Sequence, residues 1–353
     1  MWGWLNRLLG TGTAAPAPTP SPAPAPRGPL LTPALPVEAS GVPTHPAHLT
    51  LLAKFRHPSD PVEVGKPYWN SVLPEPVDAS LALFRKRGWL VDAPWQEVFT
   101  ARHRMDDLKG LLRDQGLRVS GKKAELAARL IDADPEGMRQ RVADVNAWAL
   151  SPMAAGPVEA HLLAEKAAEA QAHDTAFSAL RNGRVREAVE AIVAHERTRL
   201  FPRGLGIDWH REGIGERMAD RAAAILRATP GILREVPEHE LERLRPVAAM
   251  LELTGESRSK PWLPVDLVGH PRLDTETVVR MIHFHGSNTA RLQGLREAGY
   301  KQVDVMTCGS ASCPACQAMD GKTFTIDRVP ELPHPGCTHE MGCRCMYQAH
   351  LDY

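Results

Sequence analysis

The chain has 353 residues, 43% hydrophobic and 24% charged, a balance that suits a soluble protein of two or three cored domains. Its 42 basic and 42 acidic residues cancel, so any attraction to nucleic acid or to an acidic membrane must come from a local patch. No run of about 18 apolar residues occurs, and a spanning helix is not expected.

The opening "MWGWLNRLLG" is apolar, but it carries Arg7 within it and has no basic segment in front. It is too short for a secretory apolar region followed by a cleavage site, and the chain reads as cytoplasmic. From Ala14 to Pro36 there are nine prolines in 23 positions and almost no charge. Such a stretch can form neither helix nor ladder, so residues 1–49 are expected to be a terminal segment and a disordered, extended linker. Residues 50–101 form a mixed, turn-rich region with one short helix at about 79–87.

The next segment, "MDDLKGLLRDQGLRVSGKKAELAARL" (105–130), is patterned more tightly. Leu108, Leu111 and Leu112 fall at i, i+3 and i+4 and share one face of a helix predicted over 106–115, while Lys109 and Arg113 project from another. Gly116 ends that helix and lets Leu117 pack beneath the turn. Ser120 is placed to cap a second helix over 122–133, in which Leu126 and Leu130 repeat at i and i+4. Between Arg102 and Leu130 there are eight basic residues and four acidic ones, a net of +4 in a neutral protein. Lys122 and Lys123 stand at the start of the second helix, where free backbone N–H groups also favour an anion.

With "GL" and "SGKKAEL" followed by "RL", this segment resembles the SAP module, a small DNA-binding helical hairpin. The resemblance covers residues 102–135. It implies DNA contact by Arg118, Lys122, Lys123 and Arg129, and the helix-face reading adds Lys109 and Arg113. It also implies a core of Leu108, Leu111, Leu112, Leu117, Leu126 and Leu130.

Residues 157–299 have helical periodicity almost throughout, with helices expected at 157–181, 184–199, 210–228, 238–253, 275–284 and 287–298. His210, His283 and His285 are general-base candidates by residue type alone. A lone histidine on a helix is more often a surface or satisfied core residue.

Beyond Tyr300 a short "KQVDVMT" strand leads into all six cysteines of the chain, Cys308, Cys313, Cys316, Cys337, Cys343 and Cys345. "CPAC" after a strand imitates a redox CxxC, but the 37 residues after Cys316 cannot complete a thioredoxin-like sheet. A metal suits the spacing better. Cys313 and Cys316 form a CxxC knuckle, twenty residues intervene, and Cys337 and Cys343 follow, so four thiolates can close a tetrahedral structural Zn2+ site across two loops. Cys345, His334 and His339 are alternate ligands, and disulfides remain open for an exported or virion-packaged protein. "MDGKTF" reads as a tight hairpin with Asp320 and Gly321 in the turn. Cys308 is the member left over.

The tail also resembles the C-terminal part of phage minor head, or head morphogenesis, proteins. Asn288, Arg291, Gly299, Cys313, Pro314, Cys316, Asp320, Gly321, Lys322, His334, Pro335, Cys343, Arg344 and Cys345 carry the likeness. The join between "HP" and "CRC" is longer here, Cys308 is additional, and a SAP module is not usual in that family. The resemblance implies phage head or portal proteins as partners and a virion location. A nucleoid setting is the alternative if the protein is chromosomal.

No P-loop, G-x-G-x-x-G, G-x-S-x-G or H-E-x-x-H motif is present. Together these observations predict a mainly α, multidomain, DNA-associated protein: a disordered N-terminus, a SAP-like hairpin, a helical body and a small zinc-type α+β tail over 300–353. A metal-dependent nuclease or a repair accessory protein, directed to DNA by the hairpin, is the alternative function.

Overall fold

The computed structural model describes residues 41–351 apart from 205–206, 257–258 and 268. The opening decapeptide and the proline-rich stretch lie outside the described residues. The protein is mainly helical, with two small antiparallel sheets, and its chain divides into two compact units at Glu159/Ala160.

The first unit opens with α1 (Pro46–Leu52), α2 (Pro61–Val64) and α3 (Val77–Lys86). In this stretch Phe55, Trp69 and Phe84 are fully buried. Only α3 is legible in the sequence, because α1 and α2 are too short to show a period. Strand β1 (Leu90–Asp92) pairs antiparallel with β2 (Trp148–Leu150), Leu90 opposite Leu150. The strands therefore close the base of an inserted bundle that contains α4 (Trp95–Arg102), α5 (Met105–Asp114), α6 (Lys123–Ala133) and α7 (Pro135–Gln140).

Helix α8 (Pro152–Arg181) crosses the boundary between the units. It starts five residues before Pro157, which sits inside it. As the sixth residue of the helix, beyond the first turn whose N–H groups are unpaired in any case, this proline forgoes one helical hydrogen bond, to the carbonyl of Met153. In the second unit, α9 (Val185–Thr198), α10 (Ile214–Leu226), α11 (Glu238–Thr254) and α12 (Thr275–Glu297) pack together. Helix α10 begins at Ile214 rather than 210, because Gly213 at its N-cap takes the left-handed conformation (φ 72°).

Helix α12 runs through the point where the sequence suggests a break. Gly286 lies in its middle, and a Cβ there would come within 2.5 Å of Ile225 Cα on α10. That glycine marks the closest approach of two helix backbones rather than a helix end.

Strand β3 (Gln302–Met306) is central in a three-stranded sheet, between β4 (Thr323–Thr325) and β5 (Met346–Ala349). Val303 faces Phe324 on one side, and Val305 faces Tyr347 on the other. The two valines alternate with polar neighbours and are fully buried, the period-2 pattern of a strand with one covered face. The tail has no separate core: Val303, Val305, Ile326, Leu332, Tyr347 and five cysteines belong to the same buried cluster as residues of α9–α12.

Candidate nucleic-acid interface and metal centre

The α5–α6 hairpin is organised around Leu108, Leu112, Leu126 and Leu130, all with no exposed surface. Leu111 and Leu117 pack half-buried against them. The turn after α5 closes as its sequence dictates. Gly116, at φ 68°, donates to the Arg113 carbonyl, and Leu117 donates to Leu112 at 2.7 Å. This pair of bonds is the Schellman motif, which sets Leu117 over Leu112 and satisfies two terminal carbonyls.

The second helix starts differently from the expectation. Ser120 does not cap α6; its Oγ accepts from Arg118 Nε at 2.6 Å. The N-cap is Lys122, whose backbone N–H donates to the Glu125 carboxylate at 3.1 Å. Gly121, at φ 137°, makes this possible, since a Cβ there would lie 2.6 Å from Glu125 Oε2. Gly121→Ala is expected to destabilise the hairpin by about 1–2 kcal/mol, through backbone strain and a disturbed cap. Faster amide exchange at Leu126 and Leu130, with exchange in α9–α12 unchanged, is the result that checks this.

Of the six predicted contact residues, Arg113, Arg118 and Lys122 are exposed, and Lys109, Lys123 and Arg129 are half-buried. Two of them also have structural work. Arg129 Nη1 donates to the carbonyls of Arg118 and Ser120 and so ties the loop to α6. Lys123 Nζ donates to the Ala101 carbonyl at 3.3 Å.

Two of the four acidic residues in this segment are engaged at helix starts. Asp107 accepts the backbone N–H of Arg104 at 2.8 Å, and Glu125 that of Lys122, so both are turned to helix starts. Among the described residues, no ion pair involves any of the eight cations between Arg102 and Arg129.

In the second unit the cysteines converge. Cys313 caps the short helix α13 (Pro314–Gln317), and Cys316 lies within it. Cys337 sits on the extended return loop, and Cys343 and Cys345 lead into β5. These five are buried and free, whereas Cys308 is exposed and free. Their sulfurs form two trios that share Cys316. Those of Cys313, Cys316 and Cys337 lie within 4.8 Å of one another, as do those of Cys316, Cys343 and Cys345. Each trio can hold a metal ion. Cys308 belongs to neither trio, although it lines the same shallow pocket together with His339 and Arg344.

His334 and His339 also lie outside both trios. Each uses Nδ1 to accept a backbone N–H two residues on, from Gly336 and Met341. Cys345, an alternate by spacing, is a full member of the second trio.

The surrounding chain holds the sulfurs in place. The His334 N–H donates to Cys343 Sγ at 3.3 Å, and the Cys343 N–H donates to Met281 Sδ at 3.2 Å. Gly342 is pressed against Met281, 2.7 Å from where its Cβ would be. Asn288 binds the second knuckle from α12, with Nδ2 on the Cys345 carbonyl at 3.3 Å and Oδ1 accepting from Tyr347 N–H at 3.4 Å. Arg291, one turn on, donates to the Tyr347 carbonyl. Asn288 and Arg291 thus join the helical and cysteine halves of the tail through backbone groups of Cys345 and Tyr347.

The DGK stretch is not a hairpin between strands. Lys322 N–H closes on the Met319 carbonyl, with Gly321 at φ 66°, so the turn ends α13 and feeds β4.

Charge within the cluster is uneven. Burial opposes ionisation at Cys313, but the backbone N–H groups of Thr338 and Cys316, with the adjacent thiols, outweigh it and hold the thiol at about 6. Cys316 is pushed up by burial and by the charge of Cys343, and Cys337 by its contact with Cys343 and by burial. At Cys343 the Cys337 thiol favours the thiolate, yet Cys345 and burial raise it on balance. A cluster of thiols that resist joint ionisation is one that a cation, by binding the thiolates, would reverse.

The histidines of the helical body serve other contacts. His210 is exposed. His283 Nε2 pairs with Glu252 at 2.9 Å. Burial opposes ionisation of Glu252, but His283 and Arg221 more than offset it and hold the carboxyl at about 2. His285 is half-buried, 3.6 Å from Glu331, and burial lowers its pKa.

The first unit therefore presents a leucine-cored helical hairpin with an unpaired cationic rim. Residues 104–135 match the family model of the SAP domain. No curated protein and no solved structure matches the chain.

Proposed function

We propose that the chain is a DNA-binding protein that contacts the phosphate backbone through the rim of the α5–α6 hairpin, and that its tail holds a structural zinc ion. The observation that carries the DNA reading is the set of eight cations with no ion pair around a SAP-type core. Of the four acidic residues in this segment, Asp107 and Glu125 accept backbone N–H groups at helix starts, and none forms an ion pair with a cation of the rim, which leaves the positive field for a polyanion. The tail resemblance supports a setting among phage head or portal proteins, where such a surface would meet packaged or entering DNA.

Zinc is supported by the sulfur geometry. A tetrahedral site with Zn–S of about 2.3 Å has sulfurs about 3.8 Å apart. Cys313 and Cys337 are 3.7 Å apart, and Cys316 and Cys343 are 3.8 Å apart, while the sulfurs within 4.8 Å of one another form two trios and not one set of four.

The test is a titration of the full chain with labelled duplex DNA at several salt concentrations. Lys122→Ala/Lys123→Ala is expected to weaken binding and to reduce the slope of log affinity against log salt by about 2, since each phosphate neutralised by a cation adds roughly 0.9 to that slope. An unchanged slope would remove the DNA role from this hairpin.

A further inference from the structure

The family match begins at Arg104, yet the physical module begins earlier. Val98 and Phe99 of α4 are buried in the same cluster as the hairpin leucines. The link from α4 to α5 is only His103 and Arg104, and it is held at each residue. The His103 ring lies 4.4 Å from that of Phe99 and its Nδ1 meets the Phe99 carbonyl at 2.9 Å, while the Arg104 N–H is bound by Asp107. The end of α4 is therefore a fixed part of the bundle.

Lys123 then joins this corner to the start of α6. Its Nζ lies on the carbonyl of Ala101 in the last turn of α4, so the first residue of α6 meets the chain one residue from Arg102. The contact also offsets the negative end of the α4 dipole, which would otherwise repel a phosphate at this place. Arg102 and Arg104 are exposed and, with Lys122 and Lys123, make four cations at one corner. Asp106 is exposed there too, and they outnumber it.

We propose that the DNA-contacting surface extends beyond the hairpin onto the α4–α5 corner, with Arg102 and Arg104 as phosphate contacts continuous with Lys122 and Lys123. This rests on the DNA reading of the hairpin given above. The ligand is duplex DNA, recognised by its backbone charge.

The experiment measures the salt dependence of binding of full-length protein to a labelled duplex of mixed sequence. Variants are Arg102→Ala/Arg104→Ala, the charge-keeping Arg102→Lys/Arg104→Lys, and Lys86→Ala/Arg87→Ala, which removes the same charge at the end of α3. The alanine pair at the corner is expected to lower the salt slope by about 2. The lysine pair keeps most of it, and the α3 pair leaves it unchanged. Thermal unfolding of each variant guards against loss of fold, and the lysine pair remains decisive if the alanine pair is destabilised: a slope no higher in the lysine pair than in the alanine pair counts against the proposal.

A corner alanine pair with wild-type slope, while Lys122→Ala/Lys123→Ala lowers it, overturns the extension and leaves the hairpin reading standing. Equal reductions at the corner and on α3 overturn it as well, since bulk charge then suffices. Absence of DNA binding by the wild type removes the hairpin reading itself.

Discussion

On the zinc reading proposed above, Cys316→Ser is expected to reduce the metal content of the purified protein to less than about a fifth of the wild-type value, because structural-site affinity depends on a complete thiolate set. Cys308→Ser is expected to leave the content unchanged. The contrast follows from position: Cys316 is the member common to both sulfur trios, so no rearrangement among the other four thiols replaces it, while Cys308 is exposed and belongs to neither. Cys345→Ser is expected to fall between the two, since the first trio and Cys343 survive it. Metal analysis by mass spectrometry, with hydrogen exchange over residues 302–349, reads both effects. Exchange should rise in the tail and little in α9–α11, whose side of the shared core is apolar packing independent of any ion. Wild-type protein that is fully folded and free of metal would sink the zinc reading.

Gly286→Ala should lower the stability of the second unit by about 3 kcal/mol, the upper range for overpacking. The new methyl would meet the backbone of Ile225, Cα at 2.5 Å and N at 2.7 Å, and a backbone cannot rotate away as a side chain can. Helices α10 and α12 must then separate along a contact that also positions Met281 and Asn288, the residues that hold the cysteine segment. Gly294→Ala, two turns further along α12 in open space, should instead raise stability by about 0.5–1 kcal/mol through helix propensity. Urea unfolding followed by circular dichroism distinguishes them, and a destabilisation of equal size at both sites would show that Gly286 has no special packing role.

The hairpin was readable in one dimension because everything that defines it is local. Leucines at helical spacing, a glycine where the chain turns left-handed, and lysines at a helix start lie within about 30 consecutive residues, and the match to the SAP domain falls on the same stretch. What could not be read there was which side chain caps α6. Ser120 and Glu125 are both chemically suited, and the choice depends on a Gly121 conformation that only the folded loop displays. The break expected between 284 and 287 has a similar origin. Glycine in a helix and glycine at a helix end look alike until the helix that presses against it is known.

For the tail, spacing put Cys313, Cys316, Cys337 and Cys343 forward with Cys345, His334 and His339 as alternates, without settling which four bind, and left Cys308 as the remainder. The folded chain adds Cys345 to the cluster and leaves His334 and His339 as local turn acceptors. It also shows that the segment shares its core with the helical body instead of standing as an independent domain.

By itself, then, the sequence determined the helical character of the protein, the cationic hairpin and the cysteine-rich end, since each depends on neighbours within a few turns. Tertiary structure alone decided that β1 and β2 close the base of the bundle, that Gly286 lets α10 and α12 meet, and that four thiols gather around Cys316. Those features join residues tens of positions apart, and what selects their contacts is the packing of buried surface and the pairing of backbone groups rather than any short-range pattern.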